Sequence, residues 1–245
     1  MSSVVYTWIQ TLYTRPRAWY GLTNPSTRTA PTGRKPVTSA GPGPYSELRT
    51  RIISGRYAPG ALLVPATVGE ELGVSRTPIR EALIRLELEG LVTKVSRGFV
   101  IRERSPEEIL DICEARIALE SVVARSAALR RTEFDLAMLR RALESARTGV
   151  PDERLRAHAE WHIALRVAAH NPTISELMEL LDARLHVYDG TASRSTANLD
   201  LIEAEHEEIY RAVVDGDGER ASELMVVHQT RTRDLRIAEM VESKR

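Results

Sequence analysis

The chain has a single cysteine, Cys113, among its 245 residues. One thiol excludes an internal disulfide framework and any cysteine-based zinc cage, and it suits a reducing compartment, so a cytoplasmic protein is expected. Long apolar runs are also missing. Nothing approaches the roughly 18 consecutive apolar residues of a membrane helix, so no membrane span is expected. The N-terminus lacks the basic start, apolar stretch and small-residue cleavage site of a secretory signal. Net charge is absent as well, because 34 Lys and Arg balance 34 Asp and Glu. What remains is a chain that is 42% hydrophobic and 28% charged, sufficient to bury a core in one large domain or two modest ones.

The zero net charge conceals a split. Residues 1–104 carry 15 basic and 7 acidic side chains, and residues 105–245 carry 19 and 27, so the front is +8 and the back −8. A basic front half suits a polyanion, and nucleic acid is the obvious candidate. Residues 1–44 form a leader with six prolines, five basic residues and no acidic one. Within it, residues 23–44 show neither helical nor strand periodicity and are expected to be disordered. The stretch before them concentrates Tyr6, Trp8, Tyr13, Trp19 and Tyr20. It reads as a docking segment, a DNA-touching arm, or translated sequence upstream of the true start.

From Tyr45 the pattern becomes regular. "YSELRTRIISG" places Tyr45, Leu48, Ile52 and Ile53 at helical spacing and ends at Gly55. "TVGEELG" then gives a short helix with Val68 and Leu72, followed by a tight turn at Gly73 and a new helix opening at Ser75. Ser75 is a good N-cap type, and Pro78 falls in the first turn, where a missing N–H costs nothing. Two helices about a glycine turn describe a helix-turn-helix. On the second, Ile79, Ala82, Leu83 and Leu86 form the inward stripe, leaving Arg76, Thr77 and Arg80 on the outward face near its start. Arginine there can donate a bidentate pair to guanine in a major groove. "LVTKV", "SRG" and "FVIR" then read as two short strands about a turn, a wing offering Lys94 and Arg97 to phosphates.

The runs "SGRYAPGALL", "LGVSRTPIREALIRLELEGLV" and "SRGFVI", spanning roughly residues 45–101, resemble the winged helix of the GntR family of bacterial transcription regulators. The resemblance implies an operator-binding homodimer, with base or phosphate roles for Arg76, Thr77 and Arg80 and the wing tip at Gly98. One departure is "VPATVGEELG" ahead of the turn, where a phosphate contact often made near Ala66 is expected to be missing or replaced.

A second domain is expected to begin at Ser105. That residue can cap a helix, Pro106 suits its first position, and Glu108 completes a capping box. From residue 105 to 245 the sequence reads as long helices with almost no strand signal, broken at Arg131–Thr132, "TGVPD", "HNP", "DGTASRSTANLD" and "DGDG". The expected fold class is therefore mainly α: a winged helix-turn-helix over residues 45–104, then an all-α bundle of about six helices over residues 105–245.

Four of the six histidines fall on apolar helix faces. His158 and His162 are four apart on a stripe with Leu155, Leu165 and Ala169; His206 shares one with Ile202, Ile209 and Val213; His228 lies one turn after Leu224. Burying several unsatisfied imidazoles is costly, whereas a divalent metal satisfies one nitrogen of each. His170 and His186 read as structural or surface residues. The segments "EARIALESVVARSAA", "HAEWHIALRVAAHNP", "HEEIYRAVVDGD" and "MVVHQTR" are similar to the FCD ligand-binding domain of the FadR branch of that family. The similarity implies a metal held by an aspartate, a histidine four residues on, and two later histidines. Here those positions are His158, His162, His206 and His228, with histidine in place of the aspartate. That change makes the donor set neutral and favours zinc or nickel over harder cations.

The same similarity implies a small carboxylate effector beside an arginine. Arg116 in "EARIALE" is the first candidate and also a possible ion-pair partner of Glu120 four residues on; Arg184 is the second. A hydrolase of the H-E-x-x-H type is not expected, because Glu160 lies two residues after His158, about 200° around the helix. The expected protein is thus a regulator and not an enzyme: a DNA-binding repressor whose operator affinity responds to a carboxylate at a metal site. A structural metal in the same regulator, or a metal enzyme fused to a DNA-binding module, are the alternatives.

Overall fold

The computed structural model describes residues 43–186 and 195–242. The leader expected over residues 1–44 falls outside this range up to residue 42. The chain divides into two compact units, one ending at Glu103 and the other starting at Arg104.

The first unit is built from three helices and a small sheet. Helix α1 (Pro44–Ile53) leads to a two-residue strand β1 (Leu62–Leu63), then α2 (Pro65–Leu72) and α3 (Arg76–Leu88). Strands β2 (Val92–Val95) and β3 (Gly98–Ile101) follow. Gly73 ends α2 in the left-handed region at φ 68°, which lets the chain turn straight into α3. The turn is tight: a Cβ on Gly69 would lie 2.7 Å from the Val74 carbonyl oxygen. Ser75 holds the N-cap position of α3 as expected, but its side chain makes no capping hydrogen bond. Ile79, Leu83 and Leu86 are fully buried with Leu48 and Ile52 of α1, so the predicted inward stripe is the core of this unit. The sheet is antiparallel in the order β1-β3-β2, with Val95 opposite Gly98 and Leu63 opposite Phe99.

The second unit is all-helical among the described residues. It consists of α4 (Pro106–Arg130), α5 (Glu133–Ala146), α6 (Pro151–Ala168), α7 (Pro172–His186), α8 (Thr196–Asp215) and α9 (Gly218–Glu242). Ser105 caps α4 by accepting from the Glu108 N–H while the Glu108 carboxylate accepts from the Ser105 N–H, which is the predicted capping box. Thr132 and Asp135 repeat the device on α5. Helix α9 packs along α4, and α6 against α5. The apolar core runs through Val123, Leu139, Leu143, Trp161, Leu165, Ile209, Val213 and Met225. No helix among the described residues is long and apolar enough to cross a membrane.

Candidate functional site

Two places carry the chemistry expected from the sequence, one in each unit. In the first unit the arginines divide into two groups. Arg49 donates to Glu89 at 2.9 Å, Arg51 to Glu47 and Glu71 at 2.6 Å each, and Arg56 to Glu71 at 2.9 Å, so these cations are neutralised within the unit. Arg76, Arg80, Lys94 and Arg97 are exposed instead, and their charged groups have no partner among the described residues. Arg76, Thr77 and Arg80 share the first turns of α3, while Lys94 stands on β2 and Arg97 in the turn that follows it. Four unneutralised cations on the start of α3 and an adjoining hairpin form a surface suited to a phosphate backbone.

Gly98 requires a correction. The turn of the wing is Ser96–Arg97, and Gly98 is already the first residue of β3. A Cβ there would sit 2.4 Å from the Leu63 carbonyl oxygen. Glycine at this position lets β1 approach β3; it is not the tip.

In the second unit three helices bring the predicted histidines together. His162 comes from α6, His206 from α8 and His228 from α9, and their candidate ligand nitrogens all lie within 4.8 Å of one another. The His228 Nε2 is 3.3 Å from His206 Nε2 and 3.2 Å from His162 Nε2. Nitrogens bound tetrahedrally to zinc at about 2.0–2.1 Å stand roughly 3.3 Å apart. Both distances from His228 match that spacing, and the third pair of nitrogens lies within 4.8 Å. Trp161, itself fully buried, stacks on the His206 ring with centroids 3.9 Å apart and planes at 18°, which fixes the ring's plane.

His158 is the exception. Its ring meets His206 edge-on at 5.3 Å, but its nitrogens fall outside the group of three. It lies one turn of helix before His162 on the same face of α6. Both its nitrogens are nevertheless buried with no hydrogen-bond partner, as are Nδ1 of His162 and Nδ1 of His206. Burial keeps these rings neutral. It is the main cause that lowers His158 to about 4, helped by Arg154 and His228. Burial, then His228, also holds His162 and His206 well below the ordinary histidine value. Neutral imidazole is the form that ligates a metal, so the donor set and its protonation fit a zinc-like ion.

Beside His162 lies a buried network of two acids and two arginines. Arg166 donates to Glu120 at 2.8 Å and to Asp182 at 2.6 Å. Arg116 stands near the same two acids at longer range, 3.2 Å from Asp182 and 3.9 Å from Glu120, and its buried Nε makes no hydrogen bond. Glu120 has no exposed surface, and its Oε1 lies 3.7 Å from His162 Nδ1. The expected arginine therefore is at the site, but it shares it with Arg166, which sequence reasoning missed. The signal was available: Arg154, His158, His162 and Arg166 recur every four residues on one face of α6. Arg184 sits two residues beyond Asp182 on α7, about 200° around the helix from it.

Glu160 is exposed, which agrees with its expected direction away from the histidines. His170 adopts φ 48° just past α6, and its Nε2 lies 2.9 Å from Asp135 Oδ2 at the cap of α5, a structural role. The side chain of His186 lies outside the described residues.

Comparison with known proteins agrees with both halves. The model described as "Bacterial regulatory proteins, gntR family" matches residues 45–101, and that of the FCD domain matches residues 111–231. The HTH-type transcriptional regulator LutR of Bacillus subtilis (strain 168) is 30% identical over 208 residues, covering 75% of this chain and 95% of that protein. The galactonate operon transcriptional repressor of Escherichia coli (strain K12) is 28% identical over 211 residues, covering 75% and 92%. Among solved structures, a transcriptional regulator GntR from Rhodococcus sp. RHA1 superimposes with a TM-score of 0.62 at 26% identity, over 79% of this chain and 95% of that one.

Proposed function

Because the chain belongs to the GntR family of bacterial regulatory proteins and carries an FCD domain behind its winged helix, we propose that it is a homodimeric repressor whose operator affinity is set by a small carboxylate bound at a histidine-held zinc or nickel ion. Its relatives are transcription regulators, and DNA is the partner of the first unit. Arg76, Thr77 and Arg80 are assigned to the major groove and Lys94 and Arg97 to the backbone, because these cations are exposed and unneutralised while the other arginines of α1 and its following turn are paired. A dimer meets two half-sites about one helical turn apart, so a change in spacing between its winged helices becomes a change in affinity.

The effector assignment rests on one observation: three ring nitrogens converge beside an arginine that is only loosely held by its acids. An ion held by His162, His206 and His228 would supply a Lewis-acid centre for a carboxylate oxygen. Arg116 can then turn a guanidinium edge toward the second oxygen, since Arg166 already donates to Glu120 and Asp182 at short range. Of the relatives, one is named for the galactonate operon, and a carboxylate effector is consistent with that name. The exposed Glu160 leaves no general base near the histidines from the H-E-x-x-H pattern, which favours a sensor over a fused metal enzyme.

The test is a thermal-shift panel of small carboxylates on metal-loaded and metal-stripped protein. A compound that stabilises only the loaded form supports the sensor, since a ligand of the native state raises stability by mass action. Stabilisation by metal with no further gain from any carboxylate would instead indicate a purely structural ion. For the DNA half, Arg80→Ala is expected to weaken operator binding by about 1–3 kcal/mol and relax preference at one position. Unchanged affinity and preference would refute the recognition-helix assignment.

A further inference from the structure

We infer that Glu205 is a positioning residue for the histidine site, holding the His228 ring so that its Nε2 lone pair faces the nitrogens of His162 and His206, with Arg231 and Asn198 holding Glu205 in turn. The inference rests on the metal reading above. Its geometry starts at Oε2 of Glu205, which accepts from His228 Nδ1 at 2.6 Å. An ionised carboxylate can only accept, so this contact places a ring hydrogen on Nδ1, and in the neutral imidazole that a metal requires the lone pair is then on Nε2.

His228 is the ring whose orientation decides whether the site closes. Its Nε2 stands 3.2–3.3 Å from both other nitrogens. By contrast, the buried Nδ1 atoms of His162 and His206 make no hydrogen bond. The one anchored ring is thus the one the other two converge on.

Glu205 is itself gripped. Arg231 donates from Nε to Oε1 at 2.6 Å and from Nη2 to Oε2 at 2.7 Å, a two-point fork that fixes the plane of the carboxylate. The remaining Nη1 donates to Oδ1 of Asn198 at 2.6 Å. Asn198 is buried in the first turn of α8, where its N–H donates to the Ser195 cap at 3.2 Å. The chain Asn198–Arg231–Glu205–His228 therefore ties the start of α8 to a ring on α9. A pair that only fastened two helices would need Glu205 and Arg231 alone. It would not need an oxygen on the far nitrogen of an imidazole whose other nitrogen lies in the cluster.

Partners of this kind orient ligating histidines, and their loss typically weakens metal binding about 10- to 100-fold. The experiment titrates cobalt(II) and zinc into metal-stripped full-length protein, comparing wild type with Glu205→Ala and Glu205→Gln. Competition with a chromophoric chelator gives the affinity, and the visible cobalt spectrum reports the ligand field. Glu205→Ala is expected to bind about 10- to 100-fold more weakly with an altered spectrum. Glu205→Gln, whose amide oxygen still accepts from Nδ1–H but carries no charge, is expected to fall between. Should the alanine variant fail to fold by circular dichroism, the glutamine variant decides. Affinity and spectrum unchanged in a folded variant would overturn the inference while leaving the metal site intact. Failure of the wild type to bind either ion would overturn the metal site and the inference with it.

Discussion

Arg166 donates to Glu120 at 2.8 Å in a place where Glu120 has no exposed surface, whereas Arg116 approaches the same carboxylate only to 3.9 Å. The two arginines therefore have different work. Burial opposes the charge on Arg166, but Asp182 and Glu120 outweigh it and keep the guanidinium firmly protonated. Removing one partner of such a pair leaves a buried charge uncompensated. Arg166→Met is expected to lose about 3–5 kcal/mol of stability. Arg116→Met is expected to cost far less, because its nearest acid contact is 3.2 Å and it makes no hydrogen bond through Nε. If Arg116 serves the effector, that variant should keep its own melting temperature and lose the shift caused by a carboxylate. Denaturant melts of both variants, with and without ligand, separate these roles; equal destabilisation by the two would make Arg116 structural.

Gly98 gives a second prediction. Its missing Cβ would clash with the Leu63 carbonyl at 2.4 Å, and its φ of 154° is one that L side chains rarely adopt. Gly98→Ala is expected to destabilise the winged-helix unit by about 1–3 kcal/mol, the usual cost of overpacking. Its DNA affinity should fall in proportion to the unfolded fraction, with the salt dependence unchanged. Normal stability alongside lost DNA binding would restore Gly98 to a contact role.

Much of this architecture was legible in the residues, for identifiable reasons. The stripe of Ile79, Ala82, Leu83 and Leu86 is buried as its spacing requires, and Ser105 with Glu108 makes the predicted box, because both signals are local. His162, His206 and His228 could be grouped because each lies on the apolar face of its helix. Strand β1 escaped because Leu62–Leu63 is too short to show a period and is ordered by pairing with β3. His158 was grouped with the others by its apolar stripe and by the similarity to the FCD domain; its ring meets His206 edge-on at 5.3 Å, outside the group of three. The pairing of Arg166 and Glu205 depends on helices distant in sequence, which no local pattern reports.

The cap of α5 predicts an acid response away from the histidine site. Burial would raise the Asp135 carboxyl, but hydrogen bonds from the backbone and side chain of Thr132, then from His170, outweigh it and leave it below the ordinary aspartate value. A carboxyl depressed in the folded state contributes stability that is fully present above the unfolded value near 3.8 and is lost as pH falls through the folded one. Asp135→Asn should therefore be less stable than wild type at neutral pH, by about 0.5–2 kcal/mol as for other caps. The gap should close in strong acid. Thermal melts of both proteins across that range check it, and a gap constant with pH would mean that Asp135 acts through packing and not through its charge.

The wing predicts a salt response that distinguishes backbone from base contact. Lys94 and Arg97 are exposed on β2 and the turn after it, with no charged partner among the described residues. If each meets one phosphate, neutralising it releases one fewer condensed counterion, and the slope of log affinity against log salt should shrink by roughly 0.9 for each residue. Lys94→Gln and Arg97→Gln are expected to show this on operator and on unrelated DNA alike. Arg80→Ala should instead lose affinity mainly on the operator, because a base contact discriminates sequence. Binding isotherms at several salt concentrations on both DNAs measure the two quantities together. A wing variant with an unchanged slope, or an Arg80 variant equally weakened on both DNAs, would reverse the assignment of that residue.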